Sequence, residues 1–562
     1  MERPKKRTRL SGQDSTSSKR TLQVTSCNSL GPKFPYSRCF SCSNKEEEKC
    51  RFKGIRIIVR KGREYSGIEF RSTSKYGDKS SQKPDLPKTW RAPLSSATIQ
   101  DMKRSIAQYL LPMFTEEYLH IKNGAAFRSY GSDAHFYCEI CSVLIFTRAW
   151  LCDSCGVEIC SECFEKGIYN KINPENEKLV RCSTHNFRQT SRFMETTLDA
   201  VIPQMRHAVA SQPSCTPGAS EEEPVRLKNF YQSLAHLIGD SPDSILPEVF
   251  NTRIHRFGKA ALPQAIFESL WRKGEPILVE GCSESLREDW SPTGFRKRHG
   301  PVKLEIIDSQ SLEQRECPVE EFLEDYGHYI GRSVNESWQV NLDSYELNED
   351  FAFSSHFADF CSALPLPMIL CPDGPLNLIG HFPSDLVPPD FGPLMQFAKA
   401  SNELPGTQGT MRLSWLGSDT DIFRREDSAK LRAFLLHIEA ASGDPNLKVP
   451  EEDGLYLDKK LRDRLWKEYR VESYRVHQKQ GEVIIIPADC AYQICNLSDC
   501  INVQMDFISV HSLQQCEKRG DKVRYRKDTA ANLHFHWILW YAWLSCEAEE
   551  RRQKNVPGIQ SG

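Results

Sequence analysis

Gly481-Glu482-Val483-Ile484-Ile485-Ile486-Pro487-Ala488-Asp489-Cys490-Ala491-Tyr492-Gln493-Ile494-Cys495-Asn496 is the stretch on which the reading of this chain turns. An apolar, β-branched run meets a turn led by Pro487, and a second run re-enters as a strand from Cys500 to Phe507. The pattern predicts a buried strand, a tight connection and a returning pair of strands. Tyr492 stands where the chain re-enters the sheet.

Outward from this hairpin, Phe267 to Val279 reads as a helix, a turn at Gly274 and a strand. Trp290-Ser291-Pro292 with Phe295, and the Leu364–Met395 stretch with Asp373-Gly374 and Pro389-Asp390-Phe391-Gly392-Pro393, follow. Next come Asp421-Ile422-Phe423-Arg424-Arg425-Glu426-Asp427 and a helix over Ser428–Ala441. Together these stretches resemble the JmjC oxygenases, and within them the hairless-type histone-lysine demethylases in their fungal forms. The resemblance covers roughly residues 224–545. It implies an α+β chain built on a degenerate double-stranded β-helix, the cupin-like jelly roll, with an N-terminal zinc-binding module and flanking helices.

The family binds iron(II) with two histidines and one carboxylate, leaving positions open for 2-oxoglutarate and oxygen. Its first pair follows a Gly-Thr-Thr-x-Leu lead. Here the lead is Gly409-Thr410-Met411-Arg412-Leu413, and Ser414 stands at the first histidine, Leu416 at the carboxylate and Tyr492 at the second histidine. Serine is a poor neutral ligand and leucine has no donor atom. A phenol with an ordinary pKa near 10 binds metal as phenolate only at a cost. The 2-oxoglutarate carboxylate would be met by a basic residue about ten positions after the last histidine; Asn502 occupies that place and cannot make the charge-assisted bond.

The connection from Leu413 to Asp421 is too short for the strand the family carries there, so the jelly roll is expected to be pruned at its mouth. A misassigned exon would explain the short connection. It would not explain Tyr492 or Asn502, which lie in intact sequence.

N-terminal to this region, Cys138-x-x-Cys141, Cys152-x-x-Cys155, Cys160-x-x-Cys163 and Cys182-x-x-His185 offer eight soft ligands in four pairs. Two intervening residues let both side chains of a tight turn meet one metal, and four pairs make two tetrahedral zinc sites. The short separations favour a cross-braced order. Cys138, Cys141, Cys160 and Cys163 would then share one ion, and Cys152, Cys155, Cys182 and His185 the other, with a sequential order as the alternative. Cys39, Cys42 and Cys50 offer three more thiolates. Cys27 can supply a fourth, against a reading in which these cysteines carry no metal.

The remaining segments read by composition. Residues 1–35 read as a disordered, polar, basic tail, and Pro4-Lys5-Lys6-Arg7-Thr8-Arg9 matches a nuclear import signal as well as a merely solvated run. Residues 36–70 form a small cysteine module, 71–93 a linker, 94–200 a helix with the two-zinc module, 211–224 a second linker, 225–510 the JmjC-like domain and 511–550 C-terminal helices. An N-cap signal at Thr98 opens a helix running through Leu119. Trp537, Trp540 and Trp543 recur at helical spacing, which signals core packing or a dimer face.

The chain has 562 residues, a net charge of −2 and 21 cysteines. No apolar run is long enough to span a bilayer, so no membrane partner is expected. Three functions compete. The first is a nuclear chromatin regulator that binds a histone tail or another nuclear protein without catalysis. The second is an active iron(II)- and 2-oxoglutarate-dependent histone-lysine demethylase. The third is a zinc scaffold contacting DNA through the basic N-terminal region.

Overall fold

The computed structural model describes residues 18–46, 49–73, 84–128, 137–168, 182, 185–211, 254–308, 313–328, 338–342, 353–386, 391–400, 403–406, 410–414, 418–442, 455–523 and 534–555. The basic run Pro4–Arg9, Leu416, Pro389, Asp390 and the linker 212–224 lie outside them.

The N-terminal part is a three-stranded antiparallel sheet of β1 (Lys19–Leu22), β2 (Arg56–Lys61) and β3 (Glu64–Phe70), so the expectation of disorder through residue 35 is corrected from Lys19 on, where pairing with β2 orders the chain. A second sheet takes β4 (Ala126–Phe127), β5 (Ala149–Cys152), β6 (Glu158–Cys160) and β7 (Phe187–Ser191), in the order β4-β7-β5-β6. Between them runs the helix Ser96–Lys122, capped by Ser95, whose hydroxyl accepts from the Thr98 amide at 3.0 Å. The helix therefore starts before the Thr98 expected from the sequence.

Ile99, Met102, Ile106, Leu110 and Phe114 recur at three- and four-residue spacing and are buried. They pack against the helices Glu195–Ala210 and Phe535–Asn555. Trp537, Trp540 and Trp543 lie inside this core, so the tryptophan stripe is core packing. Part of the expected linker also packs: Asp85 accepts from the Ser384 amide at 3.0 Å and Arg91 bonds Asp373 at 2.8 Å.

The C-terminal part holds β8 (His255–Gly258), β9 (Ile277–Glu280), β10 (Lys303–Asp308), β11 (Gln314–Pro318), β12 (Trp338–Leu342), β13 (Leu394–Ala398) and β14 (Glu403–Gly406). It continues with β15 (Thr410–Ser414), β16 (Ser418–Phe423), β17 (Ser473–Gln478), β18 (Val483–Ile485), β19 (Tyr492–Asn496) and β20 (Cys500–Asp506). A nine-stranded sheet runs β11-β10-β12-β13-β20-β15-β18-β9-β8, and a four-stranded sheet runs β14-β19-β16-β17. Strands β13 to β20 thus alternate between two sheets, with β13-β20-β15-β18 facing β14-β19-β16-β17. This is an eight-stranded jelly roll, and the fold is α+β.

The sequence expectation of a missing strand is corrected here. Residues 415–417 alone join β15 to β16, and the earlier segment Glu403–Gly406 supplies the strand that pairs with β19. The jelly roll therefore keeps four strands on each side, β13-β20-β15-β18 and β14-β19-β16-β17.

Alternation assigns the faces of the nine-stranded sheet. Val483, Ile485, Ile501, Val503 and Met505 belong to the larger core with Phe267, Trp271 and Phe295 from the covering helices. Ile484 and Leu278 point the other way, into a smaller core between the two sheets with Ile422, Val476, Tyr492 and Ile494. The hairpin read first from the sequence is seated by a close approach: a Cβ on Gly481 (φ +78°) would lie 2.2 Å from Ser283 Oγ.

Candidate functional site

Among the described residues, groups of three or more His, Cys, Asp or Glu side chains able to share a metal converge at three places. Cys27, Cys39, Cys42 and Cys50 form one; Cys138, Cys141, Cys160 and Cys163 a second; Cys152, Cys155, Cys182 and His185 a third. Within each group the ligand atoms all lie within 4.8 Å of one another. A tetrahedron with metal–sulfur bonds of about 2.3 Å has edges of about 3.8 Å. Cys27 Sγ to Cys50 Sγ is 3.7 Å, Cys141 to Cys160 is 3.7 Å, and Cys155 Sγ to His185 Nδ1 is 3.5 Å. The donor chemistry and spacing fit zinc in all three groups, and the second and third groups are cross-braced.

Local structure brings the pairs together. Cys152 ends β5, and Cys160 ends β6 while capping the short helix Ser161–Glu165 that carries Cys163. A turn at Gly156 (φ +77°) joins the two strands. In the first group Arg56, fully buried, donates to Cys27 Sγ at 3.4 Å, to Gln23 Oε1 at 2.7 Å and to the Ser37 carbonyl at 2.8 Å. Four thiolates around a divalent ion leave two negative charges, and the Arg56 guanidinium offsets part of them. Behind the other groups, Glu158 is buried between Arg128 and Arg192, at 3.4 and 3.1 Å. Burial alone would raise its pKa; the two guanidiniums outweigh that and hold it at about 2.

The jelly roll is different. Tyr492 opens β19, is 8 % exposed, and sits in the apolar cluster between the sheets with Leu278, Ile422, Tyr474, Val476, Ile484, Ile486, Cys490 and Ile494. Ser414 ends β15 in the other sheet, opposite Asn502 of β20. The structure therefore does not bring Ser414 and Tyr492 onto neighbouring strands, and Leu416 lies outside the described residues. Asn502 is buried opposite Gln396 and Ser414, and its amide donates to Cys500 Sγ at 2.9 Å. The described residues do not supply the donor set that iron(II) needs in this fold.

Sequence reasoning missed two features of the barrel. Asp421, on the outer face of β16, is gripped by Arg475 at 2.9 and 2.8 Å, by Gln493 at 2.9 Å and by Ser473 at 2.9 Å. Gln493 also bonds both backbone groups of Leu457, tying the chain after residue 454 to the hairpin. Inside the barrel, the Asn496 amide, Asn502 Oδ1 and Thr420 Oγ1 are buried without a hydrogen-bond partner among the described residues. The uncharged Asn496, two residues past Ile494 on the inward face, carried the only sequence signal.

Comparison with known proteins agrees with the fold. Residues 425–507 match the family described as JmjC domain, hydroxylase. The chain is 26% identical over 325 residues to lysine-specific demethylase 3A of Homo sapiens, covering 48% of this chain and 25% of that protein. It is 26% identical over 348 residues to lysine-specific demethylase 3 of Drosophila melanogaster, covering 50% and 40%. It is 25% identical over 322 residues to the probable JmjC domain-containing histone demethylation protein 2C of Homo sapiens, covering 47% and 13%. The matched region spans about a quarter of the length of the first of these relatives. The eight-stranded jelly roll thus contains a stretch that matches the JmjC domain, and about half of the chain is similar to JmjC histone demethylases.

Proposed function

We propose that this chain is a nuclear, chromatin-associated JmjC protein that acts by binding histone tails or other nuclear proteins, and that its jelly roll does not demethylate. The observation that carries the reading is the position of Tyr492. Its ring is packed among isoleucines, Leu278 and Val476 between the sheets, where a metal ligand facing an open, wet coordination position would be required. Ser414, in the other sheet opposite Asn502, adds to it. Zinc at the three cysteine groups has a structural role, since each group folds a segment too small to build its own core.

The test is a demethylation assay. The zinc-loaded chain is given iron(II), 2-oxoglutarate, ascorbate and methylated histone-tail peptides, and product mass is read directly. The expected result is no loss of methyl groups beside a relative that turns over. Clear turnover overturns the proposal and establishes the active-demethylase reading.

A further inference from the structure

Arg56 opens β2, and strand pairing decides what it meets. Leu22, the last residue of β1, lies opposite Ile57, and the next backbone amide, that of Gln23, donates to the Arg56 carbonyl at 2.8 Å. Both side chains are buried. The Arg56 guanidinium lies over the rings of Phe52 and Phe34, 4.2 and 5.0 Å from their centroids. Its three nitrogens all donate: Nε to Gln23 Oε1 at 2.7 Å, Nη1 to the Ser37 carbonyl at 2.8 Å and Nη2 to Cys27 Sγ at 3.4 Å. Gln23 Nε2 faces the Thr25 carbonyl at 3.0 Å, Cys27 Sγ at 3.7 Å and Cys50 Sγ at 3.8 Å. Backbone amides serve the other two sulfurs: Cys27 N–H donates to Cys42 Sγ and Arg51 N–H to Cys39 Sγ, each at 3.3 Å.

A carboxylate is missing from this set. Arg128, buried nearly as deeply, has Glu158 at 3.4 Å. Arg56 has no Asp or Glu partner among the described residues. Arginine stays protonated inside proteins, and a buried charge without an opposite charge destabilises the fold. Two neutral oxygens and two ring faces do not supply that charge. The cysteines can, and only as thiolates: four thiolates around a divalent ion carry two net negative charges, whereas four thiols carry none.

We infer that Arg56 is the counter-ion of a tetrathiolate metal centre at Cys27, Cys39, Cys42 and Cys50, that Gln23 relays its charge to the sulfurs, and that the pair couples metal binding to closure of the first cysteine module. With the ion in place, the buried cation and the anionic centre compensate each other. When the ion leaves, the thiolates take up protons from water and the guanidinium is left buried without an opposite charge. The module then opens to hydrate it. Arg56 therefore favours the loaded state twice, by stabilising the bound centre and by destabilising the closed, empty one. A side chain that merely filled space would stabilise both. The connection between β1 and β2 carries all four cysteines, so the strand pairing that places Gln23 against Arg56 also closes the ligand set. The inference rests on the zinc reading of the first group and not on the jelly roll, so demethylase turnover would leave it standing.

The test uses the full chain under reducing conditions, with free zinc set by a chelator buffer. Iodoacetamide labelling is mapped peptide by peptide, and the zinc concentration that half-protects each cysteine group reads its affinity. Arg56→Met should raise the midpoint of the first group at least about tenfold. Arg56→Lys, which keeps the charge and loses the planar fork, should recover part of that shift. Gln23→Glu leaves Arg56 in place, gives it a carboxylate of its own and withdraws the donor from Cys27 and Cys50. It should also raise the first midpoint about tenfold, and it should slow labelling of the metal-free module, because the empty fold no longer holds an unpaired cation. The second and third groups should keep the parent's midpoints in every variant, which shows that the rest of the chain is folded. An unchanged first midpoint in Arg56→Met or in Gln23→Glu overturns the inference, as does an equal shift at all three groups or faster labelling of metal-free Gln23→Glu than of the metal-free parent. Absence of zinc protection at the four cysteines of the parent removes the metal centre itself and overturns the inference with it.

Discussion

The backbone amide of Phe40 donates to the carbonyl of Cys155 at 2.8 Å. One residue follows Cys39 of the first cysteine group, and the other belongs to the third. Phe40 packs in the core of the second and third groups, and Arg51 pairs with Glu139 between Cys138 and Cys141. The three groups therefore form one body, and metal loss at one should loosen its neighbours.

The chain is accordingly expected to hold three zinc ions. Cys42→Ser should lower the content to two and leave the second and third groups metallated. It should also expose residues 49–73 to trypsin, because a four-ligand site that loses one thiolate loses most of its folding contribution. Elemental analysis with peptide mapping reads both outcomes. A parent chain with two ions would remove the first group from the metal sites.

Gly156 marks the seam between these groups. It has φ +77°, and an added Cβ would lie 2.7 Å from Arg51 Cβ and 3.0 Å from Cys39 Cβ. Gly156→Ala should cost about 1–3 kcal/mol, from backbone strain plus the forced separation of the two cysteine bodies. Gly31 is the comparison: its φ is +82° with nothing within 4 Å, so Gly31→Ala carries the strain alone, about 1 kcal/mol. Equal midpoints for the two variants in thermal unfolding would refute close packing at the seam.

The contrast between the cysteine groups and the barrel explains what was legible in the sequence. Four Cys-x-x-Cys/His pairs fix their own chemistry, because two residues between ligands is a local geometric rule. The Ile484–Ile486 run and the strand from Cys500 likewise announce a buried hairpin by composition. What could not be read was long-range. Arg56 acts on Cys27 across 29 positions and looks in sequence like one more basic residue of a strand. The place of Ser414 depended on which segment fills the strand beside β19. That competition between Glu403–Gly406 and Thr410–Ser414 is decided by sheet pairing, which a motif alignment does not weigh.

The larger core holds a pH-sensitive element. His299 is buried among Phe295, Phe353 and His356, with ring centroids 5.3 Å from His356. Burial, reinforced by His356 and Arg298 and opposed by Glu288, lowers its pKa to about 4. The folded state then binds fewer protons than the unfolded state, whose histidine titrates near 6.5. Stability is full above that value and is lost as pH falls from about 6.5 to about 4, by up to about 3 kcal/mol from this group. Urea midpoints should drop across this window, and His299→Phe should flatten the drop. A parent midpoint constant from pH 6.5 to 4 would contradict the burial.

Restoring iron ligands letter by letter should fail. Tyr492→His with Ser414→His and Leu416→Asp recreates the family's residue types, yet Ser414 belongs to β15 in the nine-stranded sheet and Tyr492 to β19 in the other. A histidine at 492 would replace a ring packed on Ile422, Val476 and Ile484, and should cost about 2–3 kcal/mol through the lost apolar contact and the buried polar nitrogen. The two imidazoles would still approach from different sheets, so no facial set of three ligands forms. The triple variant should unfold earlier than the parent and hold the same number of metal ions after incubation with iron(II) or cobalt(II). One additional ion per chain, with the spectrum of a six-coordinate nitrogen and oxygen site, would show that β15 and β14 exchange places in the variant and would overturn this strand assignment.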